Sequence, residues 1–523
     1  MQVSEEGRFS LHELLRQYAA EKLREWGEKP GHLSTLREKF CAFYLGLIQA
    51  KEAALFGPTP YLTTMELQME WGNIQQAWEW AIDDQRDAKL ADCLDGLFRY
   101  SLLVGFIKNL ETLVTVDRLQ PESVQSETAL HLSARLLVHR AAIQALQRAY
   151  QPAWELASQA LTIGQTLQNE WVQGESYFLL GHILHLDGFY TQAADYYFLA
   201  LQHARESHNL RLETQCLIKL DFALTKTTEY NALAIEKARA LNDAILLYEA
   251  LHQSGVSAIF LGHYGVARTH FETLSQQMTW LPESHPARSR LLGDLGEAYR
   301  LLGDYARALE SYQQALELIR FRGDQASECS LLDGLSRLYR CTEMFEEARQ
   351  MAEMGLSIAR KIPIMRDQFF LGNSLGHIHL QTQAWETAYQ TYQQALQIGL
   401  QIENEAACME SYAGLAEAAY FLDDLDAAQA HVETILNFLK KGALDHSTES
   451  LQVYLKCFWV LDALQDPRAP DILNQAYTLL QAQANQIDDV ELRNLFLTQE
   501  ATNKTILEYW NLKERFAIGL IGS

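Results

Sequence analysis

The sequence predicts an all-α fold, an α-α superhelix in which antiparallel helical hairpins stack side by side. Pro and Gly are scarce, at 10 and 28 of 523 residues, and 48% of the chain is hydrophobic. Few helix breakers and ample apolar surface favour long packed helices over sandwiches or linkers. The third observation is a rhythm, because similar helical patterns recur along most of the chain at a nearly constant spacing.

Composition also narrows function. A net charge of −24 argues against direct binding of nucleic acid, which needs a basic face. The cysteines at 41, 93, 216, 329, 341, 408 and 457 are odd in number and include no Cys-x-x-Cys. That pattern predicts reduced, mostly buried thiols, without a disulfide frame or zinc site. No signal-peptide pattern opens the chain, and no uninterrupted apolar run reaches about 18 residues. A soluble, cytoplasmic protein without membrane contact is expected.

Taken in order, the chain opens on "GRFSLHELLRQYAAEK", a strand-like run (Arg8, Phe9, Ser10) leading into an amphipathic helix from Leu11. Residues 31 to 120 read as helical. Within them, "YLTTMELQMEWGNIQQAWEWAIDDQ" sets Met65, Met69, Gly72, Ala77, Trp80 and Ala81 along one predicted helical stripe. From Leu291 to Leu318, "LLGDLGEAYRLLGDYARALESYQQALEL" holds Leu295-Gly296, Tyr299, Gly303, Tyr305, Ala308, Tyr312 and Ala315-Leu316. The same offsets recur around Leu375-Gly376 and Leu180-Gly181.

A small residue marks each hairpin: Ala141, Gly181, Asp221, Gly255, Gly296, Ser336, Gly376 and Ala416, in steps of 40, 40, 34, 41, 40, 40 and 40. These offsets resemble the tetratricopeptide repeat (TPR), whose usual length is about 34 residues. Most hairpins here should therefore have longer helices or loops. Small residues let paired helices approach closely, while Tyr and Leu fill the gaps between neighbours. A ninth hairpin is expected over 448–482, with "DPRAPDILNQAYTLL" as its second helix.

The flanks carry a second resemblance. Glu70-x-x-Asn73, Ala77 and Trp80-Ala81 resemble the linker helices of bacterial STAND-class signalling ATPases with an NB-ARC core. In "RFSLHELLRQYAAEKL", Leu11-His12-Glu13 takes the place of the Met-His-Asp motif that ends the winged-helix module of that family. The tail "ANQIDDVELRNLFLTQEATNKTILEYW" is similar to the segment closing such TPR arrays. The resemblance implies four parts: a winged-helix remnant (1–30), a helical linker domain (31–125), a TPR superhelix (126–482) and capping helices (483–523). It also implies that the motif histidine contacts nucleotide phosphates. His12 has no such site in this chain, because Gly-x-x-x-x-Gly-Lys-[Ser/Thr] and an aspartate-bearing Walker B strand are both absent.

Catalytic patterns were sought in turn. His182-x-x-His185 shares one helical face but lacks the further ligands a metal needs. Gly-x-Ser-x-Gly is absent, and Asp423-Asp424 and Asp488-Asp489 read as helix caps. No enzyme activity, cofactor or metal is predicted. In TPR hairpins, by resemblance, the first helix lines the concave face at offsets −6, −3, +1, +4 and +5 from the marker. These offsets select Arg290 and Arg300, then Arg337 and Arg340, then Asn373 and His377; the earlier repeats contribute Phe178, His182, His185, Phe222 and Thr225. Two readings of the arginines stand. They pair with acids such as Glu297 and Asp333, or they hold an anionic ligand, whether a small effector or an acidic peptide. The implied function is a non-catalytic, ligand- or partner-protein-sensing module of a STAND-type regulator, acting on an ATPase or effector half. A free-standing TPR scaffold is the alternative.

Overall fold

The computed structural model describes residues 2–3, 9–10, 32–104, 110, 113–114, 126–224, 229–277, 281, 285–362, 364–441, 444 and 449–521. Strands β1 (Gln2–Val3) and β2 (Phe9–Ser10) pair antiparallel, with Val3 opposite Phe9. Phe9 and Ser10 of the strand-like run are therefore strand, whereas Arg8, His12 and the helix expected beyond lie outside the described residues. All other described elements are helices. The chain divides into two compact units, Met1–Val172 and Gln173–Ser523.

The first unit contains α1 (His32–Leu55), α2 (Pro60–Gln68), α3 (Trp71–Asp83), α4 (Asp87–Val104) and the hairpin α5 (Glu127–Leu146) and α6 (Tyr150–Thr166). One expectation fails here. The stripe over 61–85 does not run along a single helix, because a turn at Met69–Glu70 interrupts it between α2 and α3. Met65 and Met69 are exposed, and the buried face is Trp71, Ile74, Ala77, Trp78 and Ala81. The turn resets the helical phase, so a period counted across it misplaces both methionines. Trp78 Nε1 donates to the Leu113 carbonyl at 2.9 Å. Asp95 of α4 accepts from Arg135 (2.8 Å) and faces His139 (3.0 Å), tying α4 to α5.

Helix α7 (Glu170–Asp187) begins just before the division and opens the second unit. Its partner is α8 (Tyr190–Glu206). Six hairpins follow: α9 (Leu210–Leu224) and α10 (Glu229–Leu241); α11 (Ala244–Phe260) and α12 (Tyr264–Gln277); α13 (Pro286–Leu301) and α14 (Tyr305–Arg322); α15 (Gln325–Cys341) and α16 (Phe345–Lys361); α17 (Met365–Gln381) and α18 (Trp385–Gln401); α19 (Glu405–Phe421) and α20 (Leu425–Leu439). The expected last hairpin is α21 (Ser450–Ala463) with α22 (Ala469–Asn485), closed by α23 (Val490–Thr498) and α24 (Ala501–Ile521). The residues beyond the usual repeat length go into helix. The 34-residue step spans helices of 15 and 13 residues, whereas α15 to α18 have 17 each.

The marker rule has a physical basis in the packing. A Cβ added at Gly296 would sit 2.8 Å from the Tyr312 ring, and one at Gly376 would sit 2.6 Å from Tyr392. In both hairpins the second helix seats a ring on the notch of the first. Ser336 has no ring opposite, and its hydroxyl donates to the Ala348 carbonyl at 2.9 Å instead. Asp424 and Asp489 cap their helices as expected, accepting from Ala427 N and from Glu491 N and Leu492 N. The tail runs close to an earlier hairpin. At Gly303 (φ +78°) a Cβ would meet the Leu495 carbonyl oxygen at 2.9 Å, so only glycine suits that turn.

Candidate functional site

Because consecutive first helices align in register, residues at equal offsets form rows across the second unit. Glu297, Arg337 and His377 form one row, and Arg300 and Arg340 form the next. Arg300 Nε and Nη2 donate to the Glu297 carboxylate at 2.9 and 2.7 Å. Arg337 donates to Asp333 at 3.0 Å, and Ser374 donates to the other Asp333 oxygen at 2.6 Å. Glu297 and Asp333 thus pair with arginines of their own helices, and Ser374 adds a bond from the next repeat.

A residue that the offsets did not select sits among all three arginines. Glu449, immediately before α21, lies 3.4 Å from Arg300, 3.6 Å from Arg337 and 3.1 Å from Arg340. The side chains of Arg300, Arg337, Arg340 and Glu449 are only 2%, 7%, 6% and 7% exposed. The arginine cluster is thus a buried site already filled by a carboxylate of the same chain. Burial pulls the Glu449 carboxyl up, but Arg340, Arg300 and Arg337 outweigh it and hold the group well below the ordinary range. Burial instead wins at Asp333, Glu410 and Glu500, whose carboxyls are pushed up.

Asn373 and His377 belong to the adjoining buried network. Asn373 Oδ1 accepts from Ser411 at 2.6 Å. Tyr392 lies 2.6 Å from His377 Nδ1, and Glu410 Oε1 lies 2.8 Å from Nε2. Burial pushes the Tyr392 hydroxyl well up, so it keeps its proton and donates to Nδ1. The Nε2–H of a neutral imidazole then donates to Glu410. Lys456 Nζ also approaches Nδ1, at 3.3 Å, and pairs with Glu417 at 2.9 Å. Burial, Lys456 and Arg340 together push His377 well below its ordinary range.

The aromatic wall is arranged differently. Phe178 is buried in the core beside Tyr197, with ring centroids 5.6 Å apart, and stacks on His182 at 6.0 Å. His185 lies 4.9 Å from Phe222 and 5.3 Å from Tyr190, and Phe222 lies 5.6 Å from Phe260. His182, His185, Tyr190, Phe222 and Phe260 are half-buried, so this wall is reached by solvent where the arginine cluster is not. Burial and the charges of Lys219, His182 and Arg366 push His185 well below its ordinary range. Arg366 comes from α17, and Gln192 donates to Glu403 at 3.3 Å, so hairpins far apart in sequence meet across this wall. Arg290 is exposed and apart from the buried cluster. Thr225 lies outside the described residues.

The offset rule thus reached both walls, and at −6 from Ala416 it also reaches Glu410, but it missed Glu449, Lys456, Lys219 and Arg366. The last two lie on first helices, at −2 from Asp221 and −10 from Gly376, outside the expected offsets. Glu449 had no repeat offset at all.

The arrangement defines a helical-repeat protein with one inner wall filled by Glu449 and one half-buried aromatic wall. A tetratricopeptide-repeat family model matches residues 246–320 and 289–361, and a second matches 373–406. The chain therefore carries tetratricopeptide repeats. It is 24% identical over 180 residues to outer dynein arm-docking complex subunit 4 of Danio rerio, a match spanning 33% of this chain and 36% of that protein. The chain thus covers well under two thirds of that relative. Among solved structures, a Rap protein complexed with competence and sporulation factor aligns at TM-score 0.49 and 16% identity, covering 71% of this chain and 99% of that one. The apo form of the quorum sensor NprR from B. thuringiensis aligns at TM-score 0.47 and 15% identity, covering 68% and 99%. No helix among the described residues is long and apolar enough to cross a membrane.

Proposed function

We propose that this chain is a non-catalytic protein-interaction module that takes a peptide segment of a partner protein along the half-buried aromatic wall of its second unit. The observation that supports this reading most is the chemistry of that wall. Rings of His185, Tyr190, Phe222 and Phe260 stand beside the cations Lys219 and Arg366, in a chain whose net charge is −24. Flat rings supply apolar area at low entropic cost, and cations beside them select carboxylate-bearing partners.

The experiment is selection from a displayed peptide library on the intact protein. Enrichment of peptides pairing an acidic residue with an apolar neighbour is expected. Phe222→Ala and Lys219→Glu should each weaken the selected peptides at least about tenfold, the loss of one well-placed anchor. No enrichment, or binding indifferent to both substitutions, contradicts the proposal.

The flanking motifs support a finer reading, in which residues 1–30, 31–125, 126–482 and 483–523 are the four parts of a STAND-type sensor. Ligand binding would then bias an ATPase or effector half through its differential affinity for two states. Nucleotide turnover by a P-loop ATPase encoded in frame with this chain or beside it should change when a selected peptide is added. A turnover indifferent to peptide favours the scaffold.

A further inference from the structure

We propose that Arg300, Arg337 and Arg340 form a carboxylate-binding site whose resident occupant, Glu449, is displaced by an acidic peptide of a partner, loosening the C-terminal helices. This rests on the reading of the chain as a peptide-binding module and adds a second, regulated subsite to it.

Four observations carry the inference. Glu449 stands at the N-terminus of α21 but makes no side-chain capping hydrogen bond there, so its carboxylate serves the arginines and not its own helix. The arginines are unequally supplied. Arg300 and Arg337 each have an acid on their own helix, Glu297 and Asp333, whereas Glu449 is the one carboxylate within ion-pair distance of Arg340 among the described residues. Arg340 is more than nine-tenths buried, and its Nε has no hydrogen-bond partner among the described residues. Its donor set is therefore incompletely used by the resident carboxylate.

The resident is also crowded by like charge. Glu500 is pushed up by burial and by the Glu449 carboxylate, and Glu449 bears in the same direction on Glu410. Beside it lies a cavity of about 30 Å³ lined by Arg300, Glu449, Gln452, Glu500 and Asn503, roughly the room one water occupies. A carboxylate entering here replaces Glu449 without changing the charge of the cluster, so the exchange avoids leaving a buried cation unpaired. Once released, Glu449 no longer pins the start of α21, and the α21–α24 segment loses the ion pairs that tie it to α13 and α15 while keeping its contact at Gly303.

The test is hydrogen–deuterium exchange of the intact chain with hexaglutamate, using hexaglutamine as the neutral control. Hexaglutamate should speed exchange in 450–463 and 490–510 while leaving 246–277 unchanged, and hexaglutamine should do neither. Glu449→Gln should bind hexaglutamate at least about tenfold more tightly, because no resident competes. Adding Arg340→Gln to that variant should remove the gain. Equal affinity of wild type and Glu449→Gln, or exchange indifferent to hexaglutamate, overturns the proposal. If Glu449→Gln does not fold, the wild-type exchange pattern alone decides. Hexaglutamate binding that is sensitive to Lys219→Glu but not to Glu449→Gln would overturn this inference while leaving the aromatic-wall reading intact.

Discussion

Arg340 Nη2 lies 3.1 Å from each carboxylate oxygen of Glu449, which follows it by 109 residues. One side chain thus joins the last hairpin to two earlier ones. The Glu449 carboxyl is lower in the folded chain than its ordinary value of about 4.3. A depressed acid contributes stability that is present above that ordinary value and lost as pH falls below it. Glu449→Gln should therefore cost about 3–5 kcal/mol at neutral pH, as breaking a buried ion pair does. Its acid-unfolding curve, followed by far-ultraviolet circular dichroism, should be shallower below about pH 4 than that of wild type. An unchanged acid limb would show that Glu449 is not held ionised.

Small residues under rings set the hairpin spacing. At Gly414 a Cβ would fall 2.2 Å from the Tyr392 ring, whereas at Gly72 it would meet nothing within 4 Å. Gly414→Ala should destabilise by about 1–3 kcal/mol through overpacking, with part of the loss recovered by adding Tyr392→Leu. Gly72→Ala, in the first turn of α3, should instead stabilise by about 0.4–1 kcal/mol through the lost freedom of the unfolded chain. Urea unfolding of the variants decides, and equal effects at the two sites would remove the notch argument.

His377 supplies a pH dependence of stated sign. Its neighbours are Arg337 and Arg340 on α15, Tyr392 on α18, Glu410 on α19, Glu449 before α21 and Lys456 on α21. The ring is pushed below its ordinary value of about 6.5, so the unfolded chain binds more protons than the folded one. Stability from His377 is then present above about pH 6.5 and lost as pH falls below it. Glu410 is pushed the other way and partly offsets this slope. In a Glu410→Gln background, His377→Gln should flatten the fall in melting temperature between about pH 7 and 5. A slope unchanged by His377→Gln would contradict the neutral-imidazole assignment.

Local pattern made the repeats legible. The glycine markers fall where rings of the second helix land, and the last hairpin and both aspartate caps follow from spacing and turn chemistry. Met65 and Met69 depart from the expected stripe because a helical period carries no information across the turn between α2 and α3. Glu449 was illegible for a different reason. The offset rule reads contacts between neighbouring hairpins, whereas Glu449 reaches arginines 109, 112 and 149 residues earlier through the return of the chain. Arg366 was missed likewise, since it meets the wall of α7 and α9 from α17.

The most direct measurement is a double-mutant cycle on Arg340→Ala and Glu449→Ala, read by urea unfolding of the intact chain. Glu449→Ala leaves Arg340 buried without an acid, Arg340→Ala leaves Glu449 to Arg300 and Arg337 alone, and the double variant removes both charges. The filled-site account predicts a coupling of about 2 kcal/mol or more, with the double variant far less damaged than the sum of the singles. Additivity within about 0.5 kcal/mol would show that the two residues do not hold each other, and the claim that Glu449 fills the arginine site would fall.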